Sequence, residues 1–242
     1  MERATLESFL APISRQLGHE DVPQHVEPLD YAKNPPARRT DGLSHARLVD
    51  MFADESEKIR VGVHRCKSAE VAKVIKDIIK ADGEPGSVVF ADDHRIERLE
   101  VPQALEKCKK VTSATRWDAS AGRDAMVDAC NAARYGITFA KGGIAETGTI
   151  VQLCDESCGR AISLLPLVHI AIVNAADVKA TMGDWLAELD EEGAPAGDNL
   201  PSQTCFISGR RRRPTSSSYA SRAFTARCSS TTSSSKGVAC IA

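Results

Sequence analysis

The chain contains 242 residues with a formal net charge of −2 and 42% hydrophobic side chains, which is enough for one domain with a full core. No apolar stretch reaches the ~18–20 residues of a membrane span and the N-terminus has no signal-peptide core, so we expect a cytoplasmic protein. The eight cysteines include no C-x-x-C pair, which argues against a disulfide framework and indicates separate, mostly buried thiols.

The first 39 residues are predicted to form a helix followed by a proline-rich arm. Residues 5–17 have a helical pattern, whereas prolines at positions 23, 28, 35 and 36 prevent a helix from crossing residues 18–39. A second helix, over residues 41–57, opens the predicted α/β domain, which we place at residues 40–208.

A β-α-β unit is the first clear pattern of this domain. Residues 60–64 and 87–91 are predicted strands, and the helix between them begins at Ser68 and ends at Gly83. Such a unit predicts parallel strands joined by a right-handed crossover. The sequence Asp-Asp-His at positions 92–94 follows the second strand, where open α/β sheets bind ligands. The alternative is a solvated helix cap, which we favour.

The remaining elements continue the alternation of strands and helices. Strands are predicted over residues 114–118, 135–140 and 203–208, with a helix over residues 122–132. After residue 174, Asp177 is predicted to cap a helix whose apolar stripe includes Trp185. We interpret this tryptophan as a core residue.

The sequence I-A-E-T-G-T at positions 144–149 predicts a sharp turn that leads into a strand. Glu146 then lies at a strand end, beside the hydroxyl and backbone donors of Thr147, Gly148 and Thr149. One interpretation is a general base or nucleophile next to a nest for an anionic ligand. The other is a carboxylate that caps backbone N–H groups and holds the turn.

His169 interrupts an apolar run at positions 164–173 that is typical of a strand covered on both faces. A histidine in such a strand is usually a core residue with a satisfied hydrogen bond. The functional alternative directs it at Glu146 from the neighbouring strand, as an acid/base pair or as a group that tunes the carboxylate's pKa.

Metal and nucleotide motifs are not supported by the residue spacing. Cys154 and Cys158 lie beside Asp155 and Glu156, but no third and fourth ligand follow at iron–sulfur spacing. Neither the phosphate-loop pattern nor G-x-G-x-x-G occurs. We therefore predict no metal and no cofactor for this chain.

Four motifs in order resemble the lactate utilization protein C group of LUD-domain proteins, over residues 1–209 in outline. They are G-I-T at 136–138, I-A-E-T-G-T at 144–149, S-L-L-P-L-V-H-I at 163–170 and I-S-G at 207–209. The resemblance favours Glu146 and His169 as catalytic candidates. It favours Thr147, Gly148 and Thr149, with Thr138 of the first motif, as ligand-binding candidates.

The resemblance implies an α/β fold with a mixed or parallel sheet flanked by helices, similar to the sugar-phosphate isomerase and coenzyme A transferase sheet proteins. It also implies an accessory role in the cytoplasmic oxidation of L-lactate to pyruvate, beside iron–sulfur partner proteins, with a small anionic ligand at Glu146. The alternative is a stand-alone transferase or isomerase that acts on a small anionic substrate through Glu146, by analogy of fold alone.

The tail, residues 209–242, differs in kind from the rest of the chain. It contains six Arg and one Lys but no acidic side chain, and it is rich in Ser and Thr, so its composition predicts disorder. Clustered arginines would suit nucleic acid. We reject that function and rank it last, because the group that the chain resembles continues I-S-G with P-S-x-T-A-D-I-E and later G-V-H-G-P.

A frameshift explains the missing motifs. The first two bases of each codon are largely fixed by the amino acid, whereas the third base can vary. If each codon is read one base earlier, the codons for residues 210–217 permit P-S-P-T-A-D-I-E, and those for residues 223–227 permit G-I-H-G-P. We therefore hypothesise a single-base frameshift near Gly209. It would replace a last buried strand and a glycine-rich turn by a polar segment.

Overall fold

The computed structural model of the chain describes residues 3–22, 25, 38–193, 201–209, 222–226 and 238–241. Contacts divide the chain into two units, Met1–Arg38 and Arg39–Ala242. The first unit contains helix α1, Arg3–Gln16, close to the helix predicted there. Ser14 Oγ donates a hydrogen bond to the carbonyl of Asp21, 2.8 Å away, which ties the end of this helix to the segment that follows it.

The second unit alternates strands and helices, as an α/β protein does. Its helices are α2 His45–Lys58, α3 Val71–Asp82, α4 His94–Arg98, α5 Val101–Glu106, α6 Arg123–Ala132, α7 Ala161–Leu164 and α8 Met182–Gly193. Its strands are β1 Gly62–Arg65, β2 Gly86–Phe90, β3 Val111–Arg116, β4 Tyr135–Phe139, β5 Gly142–Ile144, β6 Thr149–Cys154, β7 Val168–Asn174, β8 Val178–Lys179, β9 Gln203–Ile207, β10 Arg222–Ala226 and β11 Val238–Ile241.

These strands form two sheets. The large sheet has the order β1-β10-β11-β7-β4-β2-β3 and is parallel except for β11, whereas the small sheet has the order β8-β5-β6-β9. The large sheet therefore confirms the predicted parallel α/β class, and β11 and the small sheet make the architecture mixed. No helix in the described ranges is both long and apolar enough to cross a membrane.

The two faces of the large sheet are covered by different helices. On β4, the Tyr135 hydroxyl donates to Asp82 of α3, 2.9 Å away, so this side chain lies on the α3 face. The next residue, Gly136, lies on the opposite face, where an added Cβ would be only 2.1 Å from the Ile162 carbonyl of α7. Because side chains alternate along a strand, His169, which pairs with Gly136, shares the α7 face.

The α7 face continues into a second apolar cluster that joins the large sheet to the small one. Its members come from α2, β6, β7, β8 and the segments beside the strands: Val49, Phe52, Val61, Ala140, Ala145, Ile150, Ala171, Val173, Ala175 and Val178. This shared packing fixes the small sheet against the large one, because burying these side chains removes apolar surface from water.

The strands and the helix of the β-α-β prediction are confirmed, and β1 and β2 run parallel, but the predicted start at Ser68 belongs to a 3-10 turn and α3 begins only at Val71. The helix α3 ends at Gly83, whose φ of 83° lies in the left-handed region that glycine adopts without steric cost. The helix-cap interpretation of the Asp-Asp-His segment is also confirmed, because the Asp93 side chain accepts a hydrogen bond from the Arg95 backbone N–H, 2.8 Å away.

The helix predicted after Asp177 begins later than expected. Val178 pairs with Gly143 in the small sheet, and α8 begins only at Met182. Thr181 and Asp184 hydrogen-bond each other's backbone N–H groups at the start of this helix, which is a capping box. The prediction was wrong because Val178, a β-branched residue that favours extended backbone, pairs with β5 of the small sheet. Trp185 is a core residue, as predicted, and is 1% exposed.

Two short segments of the tail, β10 and β11, are strands of the large sheet. Both β10 and β11 pair with β1 and with β7, one parallel and the other antiparallel. This pairing supplies hydrogen-bond partners to backbone groups of β1 and β7 that would otherwise be unpaired at this position in the sheet. The other residues between 210 and 242 lie outside the described part of the chain.

Candidate functional site

The turn between β5 and β6 carries Glu146, as predicted. Ile144 pairs with Thr149 across the antiparallel hairpin, and residues 145–148 form the turn that joins the two strands. The backbone N–H of Glu146 donates to the Ala180 carbonyl, 3.2 Å away, so the loop after β8 holds one side of the turn. Glu146 is partly exposed here, and its position in the turn is fixed by backbone contacts.

Gly148 packs the other side of the turn against helix α2. Its φ is 62°, and a Cβ added there would be 2.4 Å from the backbone nitrogen of Ser56, so a side chain is excluded by both conformation and space. Ser56 Oγ lies 2.6 Å from the Phe52 carbonyl and 3.2 Å from the Gly148 carbonyl. The glycine is therefore required by close packing against the helix.

A chain of three hydroxyl groups runs beside Glu146. Thr147 Oγ1 lies 2.7 Å from Thr149 Oγ1, which lies 2.6 Å from Ser208 Oγ. Thr149 is buried, whereas Thr147 and Ser208 are exposed at the two ends of the chain. Because a hydroxyl group both donates and accepts hydrogen bonds, the hydroxyl chain can present a donor to a ligand at Thr147 or at Ser208.

Ser208 was not among the predicted site residues. It follows β9, which pairs with β6 so that Ile150 lies opposite Ile207, and this register places Ser208 beside Thr149. The signal that could have identified it was the I-S-G motif, whose serine follows an apolar strand. Its distance of 59 residues from Thr149 in the chain hid the contact.

An ion-pair cluster lies on the turn of α2 against which Gly148 packs. The Glu55 carboxylate accepts hydrogen bonds from Lys58 Nζ at 2.8 Å and from Arg39 Nη2 at 2.7 Å. These two cations lower the pKa of Glu55, with the Lys58 hydrogen bond the largest cause. Two mostly exposed basic side chains, Lys58 of α2 and Arg39 of the segment before it, therefore pair with Glu55 on the turn of α2 against which Gly148 packs.

His169 lies within the interior of the large sheet. Its Nε2 is 2.9 Å from Thr138 Oγ1 on the adjacent strand, and both side chains are buried. Burial lowers the pKa of His169 to about 4, so the imidazole is neutral at pH 7. Thr138, predicted as a ligand-binding residue, has its hydroxyl directed at this histidine.

The predicted arrangement of Glu146 and His169 on neighbouring strands is wrong. The neighbours of β7 in the large sheet are β4 and the tail strands, whereas Glu146 lies in a turn of the small sheet. The chain leaves the large sheet after β4, which separates the two residues by topology. Within the described ranges, no hydrogen bond joins them, and no side chain donates to the Glu146 carboxylate.

The four sequence motifs therefore meet in two pairs. The G-I-T and S-L-L-P-L-V-H-I motifs meet through Thr138 and His169 in the core. The I-A-E-T-G-T and I-S-G motifs meet through Thr149 and Ser208 at the surface. The second pair is the candidate site, because it combines a partly exposed carboxylate with hydroxyl donors.

The segment that follows β2 is held by ion pairs with side chains of α4 and β3. Burial opposes ionisation of Asp93, but hydrogen bonds from Arg95 outweigh it and lower the pKa of Asp93. Arg116 donates to Asp92 at 3.0 Å and also contacts Glu97. Among the residues that the structure describes, no group of three or more His, Cys, Asp or Glu side chains is arranged to hold a metal ion.

The fold and the site define an α/β protein with a large, mostly parallel sheet and a small sheet, one hairpin turn of which carries a carboxylate. A model of the LUD domain matches residues 49–217, so the chain belongs to the LUD domain family.

Relatives named lactate utilization protein C are similar over most of their length. The Macrococcus caseolyticus protein is 30% identical over 86% of this chain and 90% of its own. The Anoxybacillus flavithermus protein is 29% identical over 84% and 87%, and the Bacillus subtilis protein 28% identical over 84% of each. The crystal structure of a DUF162 family protein from Deinococcus radiodurans has a TM-score of 0.53 and 21% identity, and covers 77% of this chain and 97% of its own, which supports the fold.

Proposed function

We propose that this chain is an accessory subunit of a lactate utilization system and that the Glu146 turn binds a small 2-hydroxy or 2-oxo acid. The names of the relatives support the lactate role. The observation that carries the ligand proposal is the continuous hydroxyl chain from Thr147 through Thr149 to Ser208, beside a carboxylate.

The chemistry of L-lactate suits this arrangement. Its carboxylate can accept hydrogen bonds from the exposed Thr147 and Ser208 hydroxyls, while its own hydroxyl can donate to Glu146. Arg39 and Lys58, which share one carboxylate, Glu55, leave an excess positive charge on this part of α2 that favours the approach of an anion. Glu146 would then orient the hydroxyl or accept its proton as the substrate is oxidised.

Oxidation of L-lactate to pyruvate releases two electrons and two protons, which an electron acceptor must take up. The cysteine spacing of this chain offers no iron–sulfur motif. We therefore assign the electron-carrying centres to iron–sulfur partner proteins in the cytoplasm. The role of this chain is to bind the acid and to complete the assembly.

His169 and Thr138 have a supporting role in this proposal. A buried, neutral imidazole that is hydrogen-bonded across two strands stabilises the sheet from which the site is built. We propose no acid/base chemistry between His169 and Glu146, because these two residues belong to different sheets.

Calorimetric titration of the purified chain with L-lactate and pyruvate tests the ligand proposal. We expect binding to weaken by about tenfold or more, ~1.4 kcal/mol, in Glu146→Gln and in the double variant Thr147→Val, Ser208→Ala. Glu106→Gln, at an exposed position on α5, is the matched control and should bind as the unmodified chain does. Equal affinity in all four proteins would refute the site.

The subunit role needs a separate measurement. The chain would be combined with iron–sulfur partner proteins, and lactate-dependent reduction of a dye would be followed with and without it. We expect dye reduction to depend on this chain. Full activity of the partners alone would contradict the accessory role.

A stand-alone transferase or isomerase is the second candidate. It is favoured by the Glu146 carboxylate, which receives no side-chain hydrogen bond within the described ranges and is partly exposed, as a nucleophile requires. Turnover of a coenzyme A ester or a sugar phosphate by the chain alone, abolished by Glu146→Gln, would favour this function over the first.

A further inference from the structure

Two cysteines face each other across the far end of the strand pair that carries the hydroxyl chain. Cys154 ends β6 and Cys205 lies in the middle of β9, and their Sγ atoms are 3.8 Å apart. In the antiparallel register Gln152 pairs with Cys205 and Cys154 with Gln203, so the two cysteines are diagonal neighbours. Residues two apart along a strand share a face, which is why both thiols lie on the same side of the sheet.

The surroundings distinguish this pair from the other described cysteines. Cys66, Cys108 and Cys130 are buried in the core of the large sheet. Cys205 is partly exposed and Cys154 is 3% exposed, so the pair consists of one accessible thiol and one shielded thiol. Cys158 is also buried, and Gln152 Nε2 lies 3.5 Å from its sulfur.

The strand that carries Cys205 is at the edge of the small sheet. Among the described strands β9 has a partner on one side only, so it can shift more easily than a central strand. The Ser202 hydroxyl donates to the Cys154 carbonyl at 2.7 Å, which keeps the beginning of β9 against the end of β6. A movement of under about 2 Å would bring the sulfurs from 3.8 Å to the ~2.05 Å of a disulfide bond.

We propose that Cys154 and Cys205 are a redox-active pair that forms a reversible disulfide with a low-molecular-weight disulfide as the oxidant. The Cys205 thiolate attacks one sulfur of the oxidant, so that a mixed disulfide forms and one small thiol leaves. The Cys154 thiolate then attacks Cys205 Sγ, the protein disulfide forms and the second small thiol leaves. The cysteines lose two electrons and two protons, which the two released thiols carry.

The order of the two steps follows from the environment of each thiol. Burial raises the pKa of Cys154 to about 12, and the negative charge of a nearby Cys205 thiolate adds to this effect. Cys154 is therefore a poor first nucleophile, whereas the partly exposed Cys205 can meet the oxidant. Once Cys205 is in the mixed disulfide it is no longer negative, so one cause of the raised pKa of Cys154 is removed.

Disulfide formation would act on the same strand pair that holds the hydroxyl chain. β6 begins at Thr149 and β9 is followed directly by Ser208, whose hydroxyls are 2.6 Å apart. A covalent link at the other end would fix β9 in register and reduce opening of this edge. The link would therefore couple the redox state to the order of Ser208, whatever ligand the site binds.

Peptide mapping of the full chain tests the pair. The reduced protein would be equilibrated in buffers of oxidised and reduced glutathione, alkylated and digested, and its cross-linked peptides identified by mass spectrometry. We expect a Cys154–Cys205 link, loss of two alkylatable thiols and reversal by dithiothreitol. Cys205→Ser should abolish the link, whereas Cys130→Ala, which removes a buried thiol elsewhere, should retain it.

Two outcomes would overturn the proposal. One is full alkylation of both thiols under every glutathione ratio while circular dichroism shows a folded protein. The other is a link that joins either cysteine to a different partner instead. Amide hydrogen exchange gives an independent measurement, since the link should slow exchange along β9 in the oxidised form only, and unchanged exchange in a cross-linked sample would refute the coupling to Ser208.

Discussion

His169 Nε2 lies 2.9 Å from Thr138 Oγ1, and this hydrogen bond joins the two strands at the centre of the large sheet. Both partners are on the face covered by α7, and their strands belong to a different sheet from the hairpin that carries Glu146. The histidine is neutral at pH 7 because burial lowers its pKa. The burial of His169 therefore makes the protein's stability depend on pH.

The free energy of unfolding should fall as the pH decreases from about 6.5 to 4. The unfolded histidine binds a proton near pH 6.5, whereas the folded one binds it only near pH 4, so the unfolded state gains protons first. The stabilisation is complete above the unfolded pKa and is lost between these two values, by on the order of 3 kcal/mol. Urea unfolding at a series of pH values measures this dependence.

His169→Gln is the control for that dependence, because glutamine does not titrate and can still hydrogen-bond Thr138. The variant should be less stable than the original chain at pH 7, and its stability should vary less between pH 6.5 and 4. Parallel curves for the two proteins would show that another group causes the pH dependence.

Thr138→Val should destabilise the fold by about 1–3 kcal/mol. Valine has nearly the same shape but no hydroxyl, so the buried His169 Nε2 would be left without its partner. Thr138→Ser retains the hydroxyl and should cost less. Thermal unfolding of both variants measures the difference, and a valine variant as stable as the serine variant would show that the hydrogen bond contributes little.

Gly148→Ala should be among the most destabilising single changes in the turn, by roughly 2 kcal/mol or more. A Cβ at this position meets the Ser56 backbone at 2.4 Å, and the φ of 62° is unfavourable for alanine. Gly83→Ala is the matched control, because its φ is 83° but no atom lies within 4 Å of the added Cβ. Equal losses of stability in the two variants would mean that backbone conformation, and not contact with α2, is the reason for glycine at position 148.

The contributions of the Thr149 and Ser208 hydroxyls to the free energy of unfolding should be coupled. In a double-mutant cycle with Thr149→Val and Ser208→Ala, we expect an interaction energy of about 0.5–1.5 kcal/mol from their 2.6 Å contact. Thr149→Val alone should cost more than Ser208→Ala, because Thr149 is buried. Strict additivity of the two single effects would indicate that the hydroxyls act independently.

The frameshift hypothesis predicts a single-base difference in the DNA across codons 205–215. It also predicts that a chain with the frame restored melts at a higher temperature, since one continuous strand would replace the two short segments that share the position between β1 and β7. Differential scanning calorimetry of the two chains measures the change. A clean read that encodes the four consecutive arginines would rule the frameshift out.

The sequence alone was sufficient for the elements whose patterns are local. The apolar periodicity and the terminal glycine of α3, the Asp93 cap and the turn containing Glu146 all follow from contacts between residues near each other in the chain. The buried state of His169 and Trp185 also follows from the apolar residues around each of them.

The tertiary structure decided which distant residues meet. Ser208 joins Thr149 across 59 residues, and His169 meets Thr138 instead of Glu146, because strand order and register determine these contacts. No local pattern records strand order, since each strand carries the same apolar signal whichever neighbour it pairs with. The sequence thus determined the motifs and their elements, and long-range pairing determined that the motifs form one buried pair and one pair at the surface.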